Sequence, residues 1–413
     1  MNKKHALWYK LIALILAVVV LLPILAACGG GEEEVAPTTA TPIPTASPAP
    51  TSTPASTPTP TTSTEPIKIG AVSVWSGPQA MSGLYYADAV IKLVESQVKQ
   101  MGGIVGGRLV KVVRFDTGAK VSESSAGAIK LVKDDNVSAL VFGGNSGAET
   151  TATADAAEDL HVLLVSNADI EKLADRKFSV VGVPGGDTIK NDVVRMVQGL
   201  KPATVGFLLN DEVSHHEAFD YAKPKLEAAG IKVVYSQFTS STTTDFTPYL
   251  TKIKYSNPDV MVISFLSEGF VTVAKQMLEL GGWGDIKVLA YPGAVLASRQ
   301  PGAKGWIIMV SWYPGRDYPA SRKFEEDFQA VNGRSPDANH VYFYLCLGTV
   351  IHAMELAGTD DPVAIAEAAR SGNLEWDTPA GISRISTNGE TDLHYTAVQV
   401  QEGGKLVPFN FNP

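Results

Sequence analysis

The 413-residue sequence holds two cysteines, Cys28 and Cys346, so no disulfide framework can hold a body of this size together. Its cysteines and seven histidines form no cluster with the ligand spacing of a zinc site. Basic residues are outnumbered, 34 Lys and Arg against 43 Asp and Glu, and an acidic surface is a poor partner for nucleic acid. Long apolar runs are scarce as well. The one near the N-terminus, Leu11 to Leu22, is shorter than the about 20 residues a membrane span needs. The glycine-rich stretch Gly102–Gly107 lies between a helical pattern and a strand pattern, the reverse of the strand-then-helix order that a dinucleotide site requires.

What is present begins with the leader. Met1-Asn2-Lys3-Lys4-His5 and Lys10 precede the apolar run, and Leu25-Ala26-Ala27-Cys28 follows it. A basic start, an apolar centre and small residues before a cut site describe a secretory signal peptide over 1–27. Leu-Ala-Ala-Cys resembles the bacterial lipobox, which implies lipidation of Cys28 and an exported, membrane-anchored chain. Gly29 to Pro66 is almost wholly Pro, Thr, Ser and Ala. It has too few large apolar residues to bury a core, so 28–66 reads as a disordered tether with a reach on the order of 100 Å. Without the leader's three lysines the balance becomes −12.

The remaining roughly 350 residues suffice for two domains or one two-lobed unit. Ile67–Val74 reads as a strand, and Leu84, Ala87, Ile91, Val94, Val98 and Met101 recur at helical spacing until Gly102-Gly103 ends the run. Strand and helix patterns then alternate through Val165 and restart at Val205–Leu209, continuing to Ala290. Such alternation predicts α/β architecture with mostly parallel sheets covered on both faces. Two such sheets in series predict two lobes, with ligands at the carboxyl ends of the strands. Cys346, inside the apolar run Val341–Leu347, is expected to be a buried, inert thiol.

Ile67-Lys68-Ile69-Gly70, Ser76-Gly77-Pro78, Gly83 and Gly102–Gly107, then Asp116, Asp245-Phe246-Thr247-Pro248-Tyr249-Leu250, Asn257-Pro258-Asp259-Val260, Asp361-Pro362 and Gly381 occur in an order that resembles the leucine/isoleucine/valine-binding protein family. The resemblance runs from about Ile67 to Val400. It implies a type I periplasmic-binding-protein fold without catalysis or cofactor, a monomer that closes around a small molecule and docks on the permease of an ABC transporter. A ligand sensor that signals to a membrane partner is the alternative. The implied crossings fall near Val183, Ser311 and Trp376, giving lobe one as 67–183 plus 312–375 and lobe two as 184–311 plus 376–413.

The resemblance also marks a site. Asn145-Ser146-Gly147 sits where the family holds a ligand carboxylate with a serine at a helix N-terminus, a place that favours anions; a plain helix cap is the other reading of Ser146. Ala168 aligns with backbone contacts, and Ile170 with a threonine hydroxyl that this chain lacks. Asp169 either serves in its place or caps a helix. On lobe two, His215 and Leu266 align with tyrosines, and Gly293 with the acid that pairs with a ligand ammonium. Glu268 or Asp169 is the candidate substitute, because a buried ammonium needs an anion. Trp75 and Tyr291 either line an apolar wall or pack in the core. The expected ligand is thus an amino acid, or a small carboxylate or amide without the amine.

Two chemical readings lose to this one. His215-His216 invites a metal or catalytic role, but adjacent residues on a helix point apart, and a solvated helix start is expected instead. Gly144–Ala148 resembles the hydrolase nucleophile elbow, yet Ala148 stands where that pattern needs glycine and no Asp and His follow in context.

Overall fold

The computed structural model describes residues 64–411 apart from Leu266, Gly282 and the side chain of Ser267. The lipobox cysteine Cys28 and the tether up to residue 63 lie outside the described residues.

The first sheet is entirely parallel. Its strands β1 (Ile67–Ser73), β2 (Val110–Asp116), β3 (Ala139–Phe142), β4 (Leu163–Ser166) and β5 (Ser179–Val181) lie in the order β2-β1-β3-β4-β5. The helices α1 (Asp88–Gln100), α2 (Val121–Lys133) and α3 (Gly147–Leu160) connect successive strands. β3 and β4 are buried along their whole length, which is why they read as unbroken apolar runs. A π turn, Ser82–Ala87, precedes α1. Its wider winding turns Leu84 to solvent at 60% exposure, and Met101, also expected inward, is 62% exposed beyond the helix end. Tyr86 and Ala87 take the inward face instead.

The second sheet repeats the plan. After α4 (Gly186–Gly199) come β6 (Thr204–Asn210), α5 (Val213–Ala228), β7 (Lys232–Thr239), α6 (Thr247–Ser256), β8 (Val260–Ser264), α7 (Ser267–Leu280), β9 (Lys287–Ala290) and β10 (Ile307–Val310). The parallel order β7-β6-β8-β9-β10 has the same topology as the first sheet, extended by antiparallel β13 (Thr396–Val400) and β14 (Leu406–Pro408). Between β10 and β13 the chain returns to the first sheet. It adds α8 (Pro319–Asn332), α9 (Ala338–Ala357), α10 (Pro362–Ala369) and a small hairpin, β11 (Glu375–Thr378) with β12 (Gly381–Arg384). Cys346 sits in α9 with no exposure, and burial pushes its thiol well up.

Two separate hydrophobic cores result, one per sheet. Val183 belongs to the first and Val193 to the second; Val310 belongs to the second and Trp312 to the first. The third passage lies between Leu393 and Tyr395, further on than the expected Trp376. The reason is packing: Trp376 is 7% exposed in the first core, where its ring lies over Gly348, so close that a Cβ there would stand 2.2 Å away.

Where the chain crosses, polar bonds knit the passages. Tyr395 donates its hydroxyl to the Pro184 carbonyl at 2.6 Å and its backbone N–H to Asp192 at 2.7 Å. Asp192, 1% exposed, also receives Arg195 at 2.9 Å and meets His394 at 3.2 Å. Asp192→Asn keeps the shape but turns charge-assisted bonds into neutral ones and points an amide N–H₂ toward a donor. The expected loss is about 1–2 kcal/mol, read by urea unfolding; an unchanged midpoint would show that this cluster is not structural.

Candidate functional site

A sheet of order 2-1-3-4-5 opens a crevice between its first and third strands, beyond their carboxyl ends, because the connecting helices leave there to opposite faces. Among the described residues there are two such points, β1/β3 and β6/β8.

At β1/β3 the chain leaves β3 through three consecutive left-handed residues, Phe142 (φ 78°), Gly143 (86°) and Gly144 (122°). The bend delivers Asn145, Ser146 and Gly147 to the start of α3. Asn145 is exposed and tied to the loop after β1: its amide donates to Gln79 at 2.7 Å and its carbonyl accepts from Ser82 at 3.0 Å. Ser146 is the N-cap of α3; its hydroxyl oxygen accepts from the Glu149 N–H at 3.3 Å and donates to the Glu149 carboxylate at 3.2 Å. Gly147 is exposed, and a Cβ there would face the Asp169 carbonyl at 3.7 Å.

Beyond β4, the Ala168 N–H donates to Ser166 Oγ at 3.0 Å. The Asp169 carboxylate accepts the Gly186 N–H at 2.9 Å, so this lobe-one acid does cap a helix, but the helix is α4 of the second lobe. Burial raises its carboxyl above the usual range, while the Gly186 bond and the nearby Lys190 charge pull the other way. Ile170, 7% exposed, packs in the first core. Trp75 is pinned to lobe one: its backbone N–H reaches Asp116 and its indole N–H reaches Asp88, both at 2.8 Å. The ring covers Gly83, where a Cβ would stand 2.6 Å from it.

At β6/β8 the helix α5 starts at Val213, so both histidines fall in its first turn. His215 is largely buried, with 16% of its side chain exposed. Its Nε2 lies 2.5 Å from Ser264 Oγ, joining the α5 turn to the end of β8, and its ring stacks near Tyr291 at 5.9 Å. Burial, with the neighbouring His216, lowers its pKa from 6.5 to about 4, so the imidazole is neutral at pH 7. His216 is the outward member, bonded to Asp211 at 2.7 Å. Tyr291 is 5% exposed within the second core, and burial pushes its phenol up. Glu268 is exposed on the first turn of α7. Gly293 has φ 97° and starts a 3-10 turn, a conformation that glycine takes without strain. Leu266 lies outside the described residues.

Residues 145–147 and 169 thus gather on one lobe, and 215 and 291 on the other. Sequence reasoning missed Glu149, Ser264 and Ser82. Glu149 carried a signal: Ser146-x-x-Glu149 has the spacing of a capping box. Ser264 and Ser82 had none, because their partners come from other elements. Among the described residues, no group of three His, Cys, Asp or Glu side chains is placed to hold a metal ion.

Comparison with known proteins agrees with this fold. A family model described as "Periplasmic binding protein" matches residues 66–405. The leucine-, isoleucine-, valine-, threonine- and alanine-binding protein of Pseudomonas aeruginosa is 23% identical over 342 residues, spanning 79% of this chain and 88% of its own. Among solved structures, a leucine binding protein from Thermotoga maritima aligns with a TM-score of 0.71 at 22% identity, covering 83% of this chain and 98% of its own. An ABC-transporter solute binding protein from R. palustris, in complex with 4-hydroxybenzoate, aligns with a TM-score of 0.73 at 20% identity, covering 83% and 95%. By the extent of the family match, the chain belongs to the periplasmic binding protein family.

Proposed function

We propose that this protein is the solute receptor of an ABC-type importer: it captures a small organic molecule between its two lobes, performs no chemistry on it, and hands it to a membrane permease. The observation that carries this reading is the doubled topology. Two sheets of the same strand order each place polar groups at their switch point, Ser146 with Gly147 on one and His215 with Ser264 on the other. Three crossings between the cores supply the hinge that closure needs.

The ligand differs from leucine, isoleucine and valine in this proposal. Gly293 offers no side chain to pair an ammonium, and Ile170 is spent on the core. Calorimetry with those three amino acids is expected to give no tight binding, while a thermal-shift screen of small organic solutes raises the apparent stability with a true ligand. Tight binding of leucine would refute the exclusion and leave solute capture standing.

Cys28 is proposed as the lipid anchor, on the strength of Leu25-Ala26-Ala27-Cys28. Cys28→Ala is expected to move the protein from the membrane fraction to the soluble one or to stop its processing. Unchanged processing and membrane retention would sink the idea.

A further inference from the structure

We propose that Glu149 sets the charge of the ligand: it places the protein's own carboxylate at the anion position of the lobe-one site, so that the ligand group seated there is an amide, alcohol or amine and not a carboxylate. The inference rests on the solute-capture reading and concerns the same site. Glu149 is 2% exposed, in the first turn of α3. Three donors converge on its two oxygens, and a fourth, Ser124, divides its one proton between Oε1 and the Lys120 carbonyl at 3.3 Å. Thr117 and Ser124 hydroxyls reach Oε1 at 2.9 and 3.4 Å; the Asn145 N–H and the Ser146 hydroxyl reach Oε2 at 3.1 and 3.2 Å. This is the pattern of an ion that only accepts.

The consequence for a ligand follows from charge and hydrogen count. A helix N-terminus carries about half a positive charge, and the Glu149 side chain already lies against it. The Ser146 hydroxyl donates to Glu149, so it has to leave that bond before it can hold a ligand carboxylate. Lys190, whose charge acts on the neighbouring Asp169, is already shared between Asp187 at 3.5 Å and Glu217 at 3.4 Å. A ligand carboxylate would sit beside the Glu149 carboxylate, with the Asn145 N–H and the Ser146 hydroxyl already directed to it. An uncharged carbonyl or hydroxyl can still take the first N–H groups of α3, which have no intrahelical partner, and an amine or amide N–H meets acceptors. The arrangement is built in. The chain passes so closely over Glu149 at Gly144 (φ 122°) that a Cβ there would stand 2.4 Å from that of Glu149.

The test uses matched pairs, small carboxylic acids each with its own amide, including benzoate with benzamide and leucine with leucinamide, titrated into the wild type and Glu149→Gln. In pairs that bind, the wild type is expected to favour the amide by at least about tenfold, and Glu149→Gln to shrink or reverse that ratio by about tenfold, each tenfold being about 1.4 kcal/mol. A wild type that prefers the carboxylate overturns the inference and leaves solute capture intact. An unchanged ratio in a folded Glu149→Gln, with native circular dichroism, also overturns it. Binding of neither member of any pair counts against both readings. If Glu149→Gln does not fold, the wild-type ranking decides alone.

Discussion

Trp312→Ala is expected to cost about 4 kcal/mol of folding stability, the range for a large aromatic removed from a packed core. Trp312 has no exposure and stands one residue past the second crossing. Its indole N–H donates to Ser321 Oγ at 2.7 Å, and its ring meets Phe324 edge-on at 5.5 Å and 84°. Alanine therefore removes three things together: apolar burial, an aromatic pair, and the donor that Ser321 accepts. The lost hydrogen bond matters least, since a net bond is worth about 1 kcal/mol and Ser321 also lies 3.5 Å from Glu325. Trp312→Phe separates the contributions. It keeps a ring against Phe324 and should lose about half as much as alanine. Urea unfolding of both variants checks the ranking; an alanine variant within about 1 kcal/mol of the wild type would mean that this side of the crossing repacks freely.

Such a loss has a functional side. Ser311 is buried at 1% exposure and its carbonyl accepts from Arg316 at 3.2 Å, while the same guanidinium reaches the Ala380 carbonyl at 2.8 Å. Trp312 anchors the lobe-one end of this passage, so its removal loosens the segment that the proposed closure uses as a hinge, without touching either switch point. Hinge residues of this kind lie away from the ligand and still alter affinity, because binding and closure share one free energy.

The parallel strands were legible because burial on both faces leaves runs such as Ser138–Phe142 and Val162–Val165 without alternation. The last third of the chain was much less so. α9 is buried on most of its circumference, which erases the 3.6-residue stripe that marks a helix, and the hairpin after it carries Trp376 into a core that its position in the chain does not suggest. The π turn at Ser82–Ala87 defeated a helical count for a different reason: a change of winding leaves no mark in composition. In the site, residue types were legible and partnerships were not. Asp169 reads as a cap from its place after a strand, but nothing local says that the capped helix is α4, 17 residues on and in the other lobe. His215 reads as a solvated helix start until Ser264, from 49 residues away, closes over it.

That closing contact makes His215 a source of acid sensitivity at the site. Between pH 7 and pH 4 the protein is expected to lose about 3 kcal/mol through this residue. Its side chain is 16% exposed, and burial, with His216, moves its pKa from 6.5 to about 4. The unfolded chain binds a proton on this ring below about pH 6.5, whereas the folded chain resists until about pH 4. The unfolded state therefore holds more protons throughout that window, and stability falls as the pH falls. Glu212, 4.0 Å from Nδ1 and partly exposed, stands beside the ring without forming a close pair. His215→Gln retains a group that can bond Ser264 and removes the titration. Denaturant unfolding of both proteins at steps from pH 7 to pH 4.5 isolates the effect, since carboxylates that titrate in both cancel in the difference. The wild type should weaken relative to the variant by roughly 2–3 kcal/mol over that range; a constant difference would place the ring in water and remove it from the switch point. Ligand affinity should weaken in the same window, because a proton on His215 puts an unpaired charge at the β6/β8 crevice where the proposed capture reading needs a neutral imidazole fixed on Ser264.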